Sequence, residues 1–271
     1  MLRDITLGQY YQADSVIHRL DPRTKLIMTF VYLISLFIFT DPYVYAAGLL
    51  FLVIALAMSR VPIKFMIKGL KPVWLIILLT SLMNIMFTDG EPLFQLWKFK
   101  VTAEGLQRAG FMAGRLILLV FGSNLMTLTT TPTRLTNALE ALMKPLKFIH
   151  FPVHEIAMMM SIALRFIPLL VDETDKIMKA QLARGADFES GNLLKRTKAM
   201  VPVLVPLFIS AFRRANDLAM AMEARCYHGG EGRTQMKPLK YKGRDYITFL
   251  LLVIYLALVV FLGHFLPGIL G

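Results

Sequence analysis

The chain has 271 residues, 56% of them hydrophobic, and a formal net charge of +12. This composition excludes an ordinary soluble domain. It predicts an all-α protein that crosses the membrane several times, since each spanning helix needs about 20 mainly apolar residues. The single cysteine excludes an internal disulfide, and no cysteine cluster points to a metal centre. The basic, polar first 25 residues do not resemble a cleavable signal peptide.

Five apolar stretches approach the length of a transmembrane helix. In chain order they are residues 26–39, 43–58, 73–87, 111–128 and 247–265. Arg115 lies near one end of the fourth stretch, where its long side chain can reach the interface. Asn124 in the same stretch and Asn84 in the third are expected to hydrogen-bond neighbouring helices.

Basic residues predict the orientation of these helices. They precede the first span and separate the second from the third, whereas loop 40–42 has none and loop 89–110 is balanced in charge. The N-terminus is therefore predicted to be cytoplasmic. The expected organisation is a four-span membrane domain at residues 1–131, a cytoplasmic or interfacial domain at 132–245, and a last transmembrane helix at 246–271.

The middle domain is unusually apolar for a cytoplasmic segment, yet it holds 18 Lys and Arg against 11 Asp and Glu. Part of that charge is expected to meet anionic lipid headgroups. Residues 153–171 contain charges and residues 200–212 contain two prolines, so both are predicted to form long, kinked helices along the interface rather than spans. Residues 133–147 have the apolar spacing of one amphipathic surface helix.

Two near-identical tripeptides lie in this middle domain. They are Ala183-Arg184-Gly185 and Ala224-Arg225-Cys226, each at the end of a helical pattern, with glycines at Gly185 and at Gly229-Gly230. Glycine beyond a helix end accepts the left-handed cap conformation. An arginine in the last turn keeps its guanidinium available to an acidic partner. The duplication predicts two docking tips, and hence a partner with two similar sites.

Motifs for chemistry carried by this chain are few. The glycine-rich residues 229–234 lack the Gly-Lys-Ser/Thr of a phosphate-binding loop. His150 and His154 have metal-ligand spacing, but the proline between them breaks a common helical face. The acidic residues Asp172, Glu173 and Asp175 leave open a magnesium-dependent intramembrane enzyme, and a stand-alone permease is a further alternative.

Over nearly its whole length, from Gly8-Gln9-Tyr10 to Tyr227–Thr234, the sequence resembles a known transporter family. His18-Arg19-Leu20-Asp21-Pro22-Arg23-Thr24-Lys25 precedes the first span, and Ser161–Pro168 together with Ala219–Arg225 accompanies the two tips. These motifs are similar to those of the transmembrane T component of energy-coupling factor transporters, micronutrient importers related to ABC transporters. One departure is Cys226, where the simplest family signature has glycine.

The resemblance implies a non-catalytic coupling subunit that needs no cofactor and binds no nucleic acid. Two ATP-binding-cassette ATPases would dock on the tips at Arg184 and Arg225, and long coupling helices would pass their motion to a small membrane protein that captures the vitamin or metal. The choice of micronutrient would belong to that third chain. Flexible methionines suit an interface with several such proteins; the candidates are Met158, Met159, Met160, Met200, Met220 and Met222.

Overall fold

The computed structural model describes residues 10–38, 41–88, 92–96, 99–188, 192–229 and 238–265. Nine α-helices are found in these residues, with one short antiparallel hairpin and one 3₁₀ helix. The helices are α1 (Pro22–Ile38), α2 (Pro42–Ser59), α3 (Ile63–Leu70), α4 (Trp74–Phe87), α5 (Ala103–Thr129), α6 (Pro132–Met143), α7 (Val153–Ala183), α8 (Leu193–Ala224) and α9 (Gly243–Phe265). The hairpin pairs β1 (Pro92–Leu96) with β2 (Phe99–Thr102), and the 3₁₀ helix covers Lys144–Ile149.

The predicted all-α, multi-span architecture is confirmed, and the short β1–β2 hairpin is an addition to it. Helices α2, α5, α7 and α9 are long and apolar enough to cross a membrane, and α3 with α4 would form a fifth span bent by 61°. Helix α1, which contains most of the first predicted span, has 17 described residues. Because α7 could cross by length and composition, its placement along the interface stays a prediction. The apolar part of α8, which contains two prolines, is not among the helices that qualify.

The chain divides into two compact units. The first, called here the N-terminal unit, comprises residues 8–138 with 238–271, and within it α9 packs against α1 and α2. Its core is built around Tyr32, which stacks on Phe51 at a ring-centroid distance of 5.8 Å. Phe51 in turn lies 4.6 Å from the ring of Tyr255, whose hydroxyl hydrogen-bonds Ser35 at 2.8 Å. These contacts join α1, α2 and α9.

The motif at the start of α1 also ties helices of the N-terminal unit together. The ammonium group of Lys25 is buried and donates to the Thr129 carbonyl at 2.8 Å, where the C-terminus of α5 favours a cation. The backbone N–H of Asp21 donates to the buried carboxylate of Asp245 in α9, also at 2.8 Å. Arg23 pairs with Asp21 at 3.1 Å. The His18–Lys25 motif therefore has a structural role in joining α1, α5 and α9.

The polar residues of the predicted spans differ partly from expectation. Asn84 donates to the Thr80 carbonyl of its own helix at 2.8 Å, so the predicted bond to another helix is wrong. Asn124 does meet a neighbouring helix, but through close packing on Gly69 of α3, and its amide nitrogen has no hydrogen-bond partner among the described residues. Arg115 donates from Nε to the Tyr45 hydroxyl of α2 at 2.8 Å. Asn84 can bond within its own helix because a backbone carbonyl has a second lone pair that accepts a side-chain donor.

The second unit, called here the central unit, covers residues 139–237. The predicted helix over residues 133–147 is shorter than expected, because α6 ends at Met143 and a 3₁₀ helix containing Pro145 follows. His154 at the start of α7 lies 3.1 Å from Glu140. From there α7 and α8, of 31 and 32 residues, form most of the unit.

Candidate functional site

The first predicted tip has a complete helix-terminating motif. Gly185 has φ 87°, in the left-handed region that glycine accepts without a Cβ clash. Its N–H donates to the Leu182 carbonyl at 3.0 Å, and the N–H of Ala186 donates to the Gln181 carbonyl at 3.0 Å. These are the two bonds of a Schellman cap, with Arg184 as the last residue of the turn. The backbone that carries Arg184 is therefore fixed.

The second tip repeats this geometry. The N–H of Cys226 donates to the Glu223 carbonyl at 2.8 Å, and the N–H of Tyr227 donates to the Met222 carbonyl at 3.0 Å. Cys226 occupies the left-handed position with φ 55°, where a residue with a Cβ is strained by about 1–2 kcal/mol. The bonding pattern is the same as at the first tip. Arg225 thus occupies the same cap position as Arg184.

Both tips are open to solvent. All six predicted docking residues are exposed, namely Ala183, Arg184, Gly185, Ala224, Arg225 and Cys226. In the described part of the chain, neither Arg184 nor Arg225 forms an ion pair or a side-chain hydrogen bond. Each guanidinium keeps five donors for a carboxylate or another acceptor. The small residues beside it leave space for a partner surface.

The two helices that carry the tips cross each other within the central unit. Glu173 of α7 accepts from Arg214 of α8 at 2.6 Å, and Gln181 donates to the Pro202 carbonyl at 3.3 Å. The later residue of α7, Gln181, contacts the earlier residue of α8, Pro202, so the two helices run antiparallel. Their C-terminal tips therefore lie at opposite ends of the helix pair. Glu173 and Arg214 each lie eleven residues before their tip arginine, or about 16 Å along an α-helix.

An apolar stripe on α8 was missed by the sequence analysis. Its members recur every three to four residues and are exposed, with Phe212 exposed by 70%; they are Val201, Leu204, Val205, Phe208 and Phe212. This spacing is the helical signal that could have identified it. Of the predicted methionines, Met159, Met160, Met200 and Met220 are exposed, whereas Met158 and Met222 are partly buried. Aliphatic and aromatic side chains therefore supply much of the exposed apolar surface of α8.

The residues considered for metal binding or catalysis do not form a common site in the described part of the chain. Glu173 is engaged by Arg214 and His154 by Glu140, and the described residues contain no group of three or more His, Cys, Asp or Glu that could hold a metal ion. His150 caps the 3₁₀ helix with φ 59°. Residues 230–237, with most of the glycine-rich motif, lie outside the described residues.

Comparison with known proteins places this arrangement in one family. The sequence matches the CbiQ family, described as cobalt transport protein, over residues 13–236. It is 55% identical over 253 residues to the energy-coupling factor transporter transmembrane protein EcfT of Clostridium kluyveri, covering 92% of this chain and 93% of that one. The EcfT of Acidaminococcus fermentans is 51% identical over 269 residues, or 99% and 100% of the two chains. The EcfT of Bacillus subtilis is 48% identical over 263 residues, or 97% and 99%. The chain therefore belongs to the CbiQ family and is a transmembrane component of an energy-coupling factor transporter.

Proposed function

We propose that this chain is the coupling subunit of an ATP-driven micronutrient importer and that its two tips each dock on one ATPase subunit. The observation that carries the proposal is the pair of identically capped helix ends, each presenting an exposed arginine without an acidic partner in the described chain. Two equivalent tips fit two related ATPase subunits. An arginine on a fixed backbone can make paired hydrogen bonds to a carboxylate on each of them.

The crossing of α7 and α8 supports a lever role for the pair. Glu173 and Arg214 are only partly exposed, so their ion pair is less screened than a surface pair. Because the contact lies equally far along the chain from both tips, displacement of either tip would be transmitted to the other helix through it. When the ATPases close on ATP, both tips would be displaced at the same time, and α7 and α8 would tilt as a unit.

The exposed stripe on α8 supports an interface with a third subunit, a small membrane protein that captures the substrate. A contiguous apolar surface of this kind marks an interaction site. Methionine side chains beside it can repack against partners of different shape. The micronutrient itself, a vitamin or a metal ion, would bind to that subunit and not to this chain. Residues 132–245 and the N-terminus would lie on the cytoplasmic side, where the ATPases are.

Charge reversal at the tips tests the docking proposal. Arg184→Glu combined with Arg225→Glu would place carboxylates against the acidic or polar groups that the arginines contact, and substrate uptake should be lost while the chain still inserts in the membrane. The matched control is Lys176→Glu with Arg213→Glu, which reverses two exposed charges near the middle of the same helices, farther from both tips. Uptake equal to wild type in the tip variant would refute the proposal.

The α8 surface is tested separately. Phe208→Ser with Phe212→Ser removes two exposed aromatic side chains, so the fold should persist while the substrate-capturing subunit dissociates in detergent. The ATPases should remain bound, because the tips are unchanged. Retention of the small subunit at wild-type level would exclude this stripe as its interface. Leu194→Ser, an exposed apolar residue at the start of the same helix, serves as the control.

A further inference from the structure

The turn between the 3₁₀ helix and α7 exposes apolar side chains that the docking proposal does not use. Residues 144–152, called here the 144–152 turn, are exposed throughout. Phe148 is exposed by 91% and Ile149 by 79%, and Leu146 and Phe151 are also exposed. Soluble surfaces rarely present large apolar side chains together in this way, so the cluster marks a surface that is covered by something else.

The turn is held in shape by its backbone. His150, at φ 59°, donates from its N–H to the Lys147 carbonyl at 3.0 Å, and the N–H of Val153 donates to the Phe151 carbonyl at 2.8 Å. Val153 is almost fully buried, which anchors the exit of the turn. The exposed side chains are therefore presented by a bonded turn.

Charge indicates what covers the turn. Lys144 and Lys147 are exposed on it, and the segment 144–152 contains no acidic residue. The nearest preceding acid, Glu140, is paired with His154. Aromatic and aliphatic side chains flanked by lysines fit an anionic membrane surface, where the apolar groups enter the acyl region and the ammonium groups remain among the phosphates.

The position in the chain agrees with this occupant. Only residues 130–152 separate the end of α5, which can span a membrane, from the start of α7, whose apolar part follows directly. A segment of this length does not need to leave the bilayer surface. We propose that the 144–152 turn inserts Phe148 and Ile149 into the cytoplasmic leaflet and is an anionic-lipid anchor for the central unit. This rests on the proposed cytoplasmic location of residues 132–245.

The single native cysteine makes a direct test possible. Cys226→Ser gives a cysteine-free chain, to which Ile149→Cys or, as control, Lys179→Cys is added and labelled with an environment-sensitive dye. The full chain is reconstituted in phosphatidylcholine vesicles with or without phosphatidylglycerol. The dye at residue 149 should be quenched by acyl-brominated lipid and protected from iodide, more strongly with phosphatidylglycerol. The dye at residue 179 should show the reverse.

Three results would overturn the proposal. Iodide quenching at residue 149 equal to that at 179 would mean that the turn faces water or a protein partner. Insertion that is unchanged by phosphatidylglycerol, or by Lys144→Gln with Lys147→Gln, would remove the anionic-lipid part. Labelling of residue 149 in intact cells by a membrane-impermeant maleimide would place the turn outside the cell and not at the cytoplasmic leaflet.

One variant of the turn tests lipid insertion separately from ATPase docking. Phe148→Ser with Ile149→Ser should abolish quenching by brominated lipid, reported from a dye at Pro145→Cys, while the ATPases still co-purify with the chain. Loss of the ATPases from this variant would contradict the assignment of the turn to lipid rather than to protein.

Discussion

Gly122 is predicted to be a tightly constrained glycine in the helix packing of the N-terminal unit. A Cβ at this position would lie 2.6 Å from Cε1 and 2.9 Å from Cδ1 of Tyr32. The Tyr32 ring is buried and stacks on Phe51, so it cannot move aside without disturbing the core. Overpacking of this kind costs about 1–3 kcal/mol. It outweighs the roughly 1 kcal/mol by which alanine favours a helix over glycine.

Gly114 provides a matched control in the same helix, because a Cβ there would have no heavy atom within 4 Å among the described residues, apart from the adjacent backbone of its own helix. Gly122→Ala should lower the free energy of unfolding by up to about 2 kcal/mol once the helix gain of about 1 kcal/mol is subtracted, whereas Gly114→Ala should be stabilising by up to about 1 kcal/mol. Thermal unfolding of the purified chain in mild detergent, followed by loss of the monodisperse size-exclusion peak, measures the difference. Equal stability of the two variants would refute the packing argument.

Three further predictions concern single contacts. Burial lowers the pKa of His18, so the unfolded chain binds the proton first, and stability should fall as the pH drops below about 6.5; His18→Gln should remove that part of the pH dependence, and an unchanged profile would contradict it. Glu173→Gln and Arg214→Gln should show a coupling of about 1 kcal/mol in a double-mutant cycle of thermal unfolding, and additive effects would mean that the ion pair does not join α7 to α8. Cys226→Gly should stabilise the central unit by about 1 kcal/mol, detected as slower proteolysis at the second tip, with docking retained; faster proteolysis would show that the left-handed cap is not a source of strain.

Sequence patterns predicted most of the helices, and the ends of α7 and α8 at Ala183 and Ala224, because these features depend on local chemistry. A long apolar stretch without charged residues predicts a buried or membrane-spanning helix whatever its tertiary contacts. A glycine directly after a helical pattern predicts a C-terminal helix cap. The geometry at Cys226 shows the limit of this reasoning, since the left-handed position there is occupied without glycine. The repeated tripeptide, and not the residue type alone, identified that position.

Tertiary contacts were less predictable. The bond from Lys25 to the Thr129 carbonyl joins residues about a hundred positions apart and leaves no spacing signal in the sequence. Asn84 and Asn124 are both asparagines within predicted transmembrane stretches, yet Asn84 bonds its own helix and Asn124 packs against Gly69. The pair of Glu173 and Arg214 could have been suspected only from their equal spacing to the tips, which gains meaning once the helices are known to cross.

The account depends most directly on what binds the two tips. Affinity purification of the wild-type chain from its native host in mild detergent, beside the Arg184→Glu and Arg225→Glu double variant, would measure this. The account predicts that wild type recovers two ATP-binding-cassette ATPases and a small hydrophobic membrane protein, and that the variant loses the ATPases while keeping the membrane protein. Recovery of wild type alone, or of both ATPases with the variant, would contradict it.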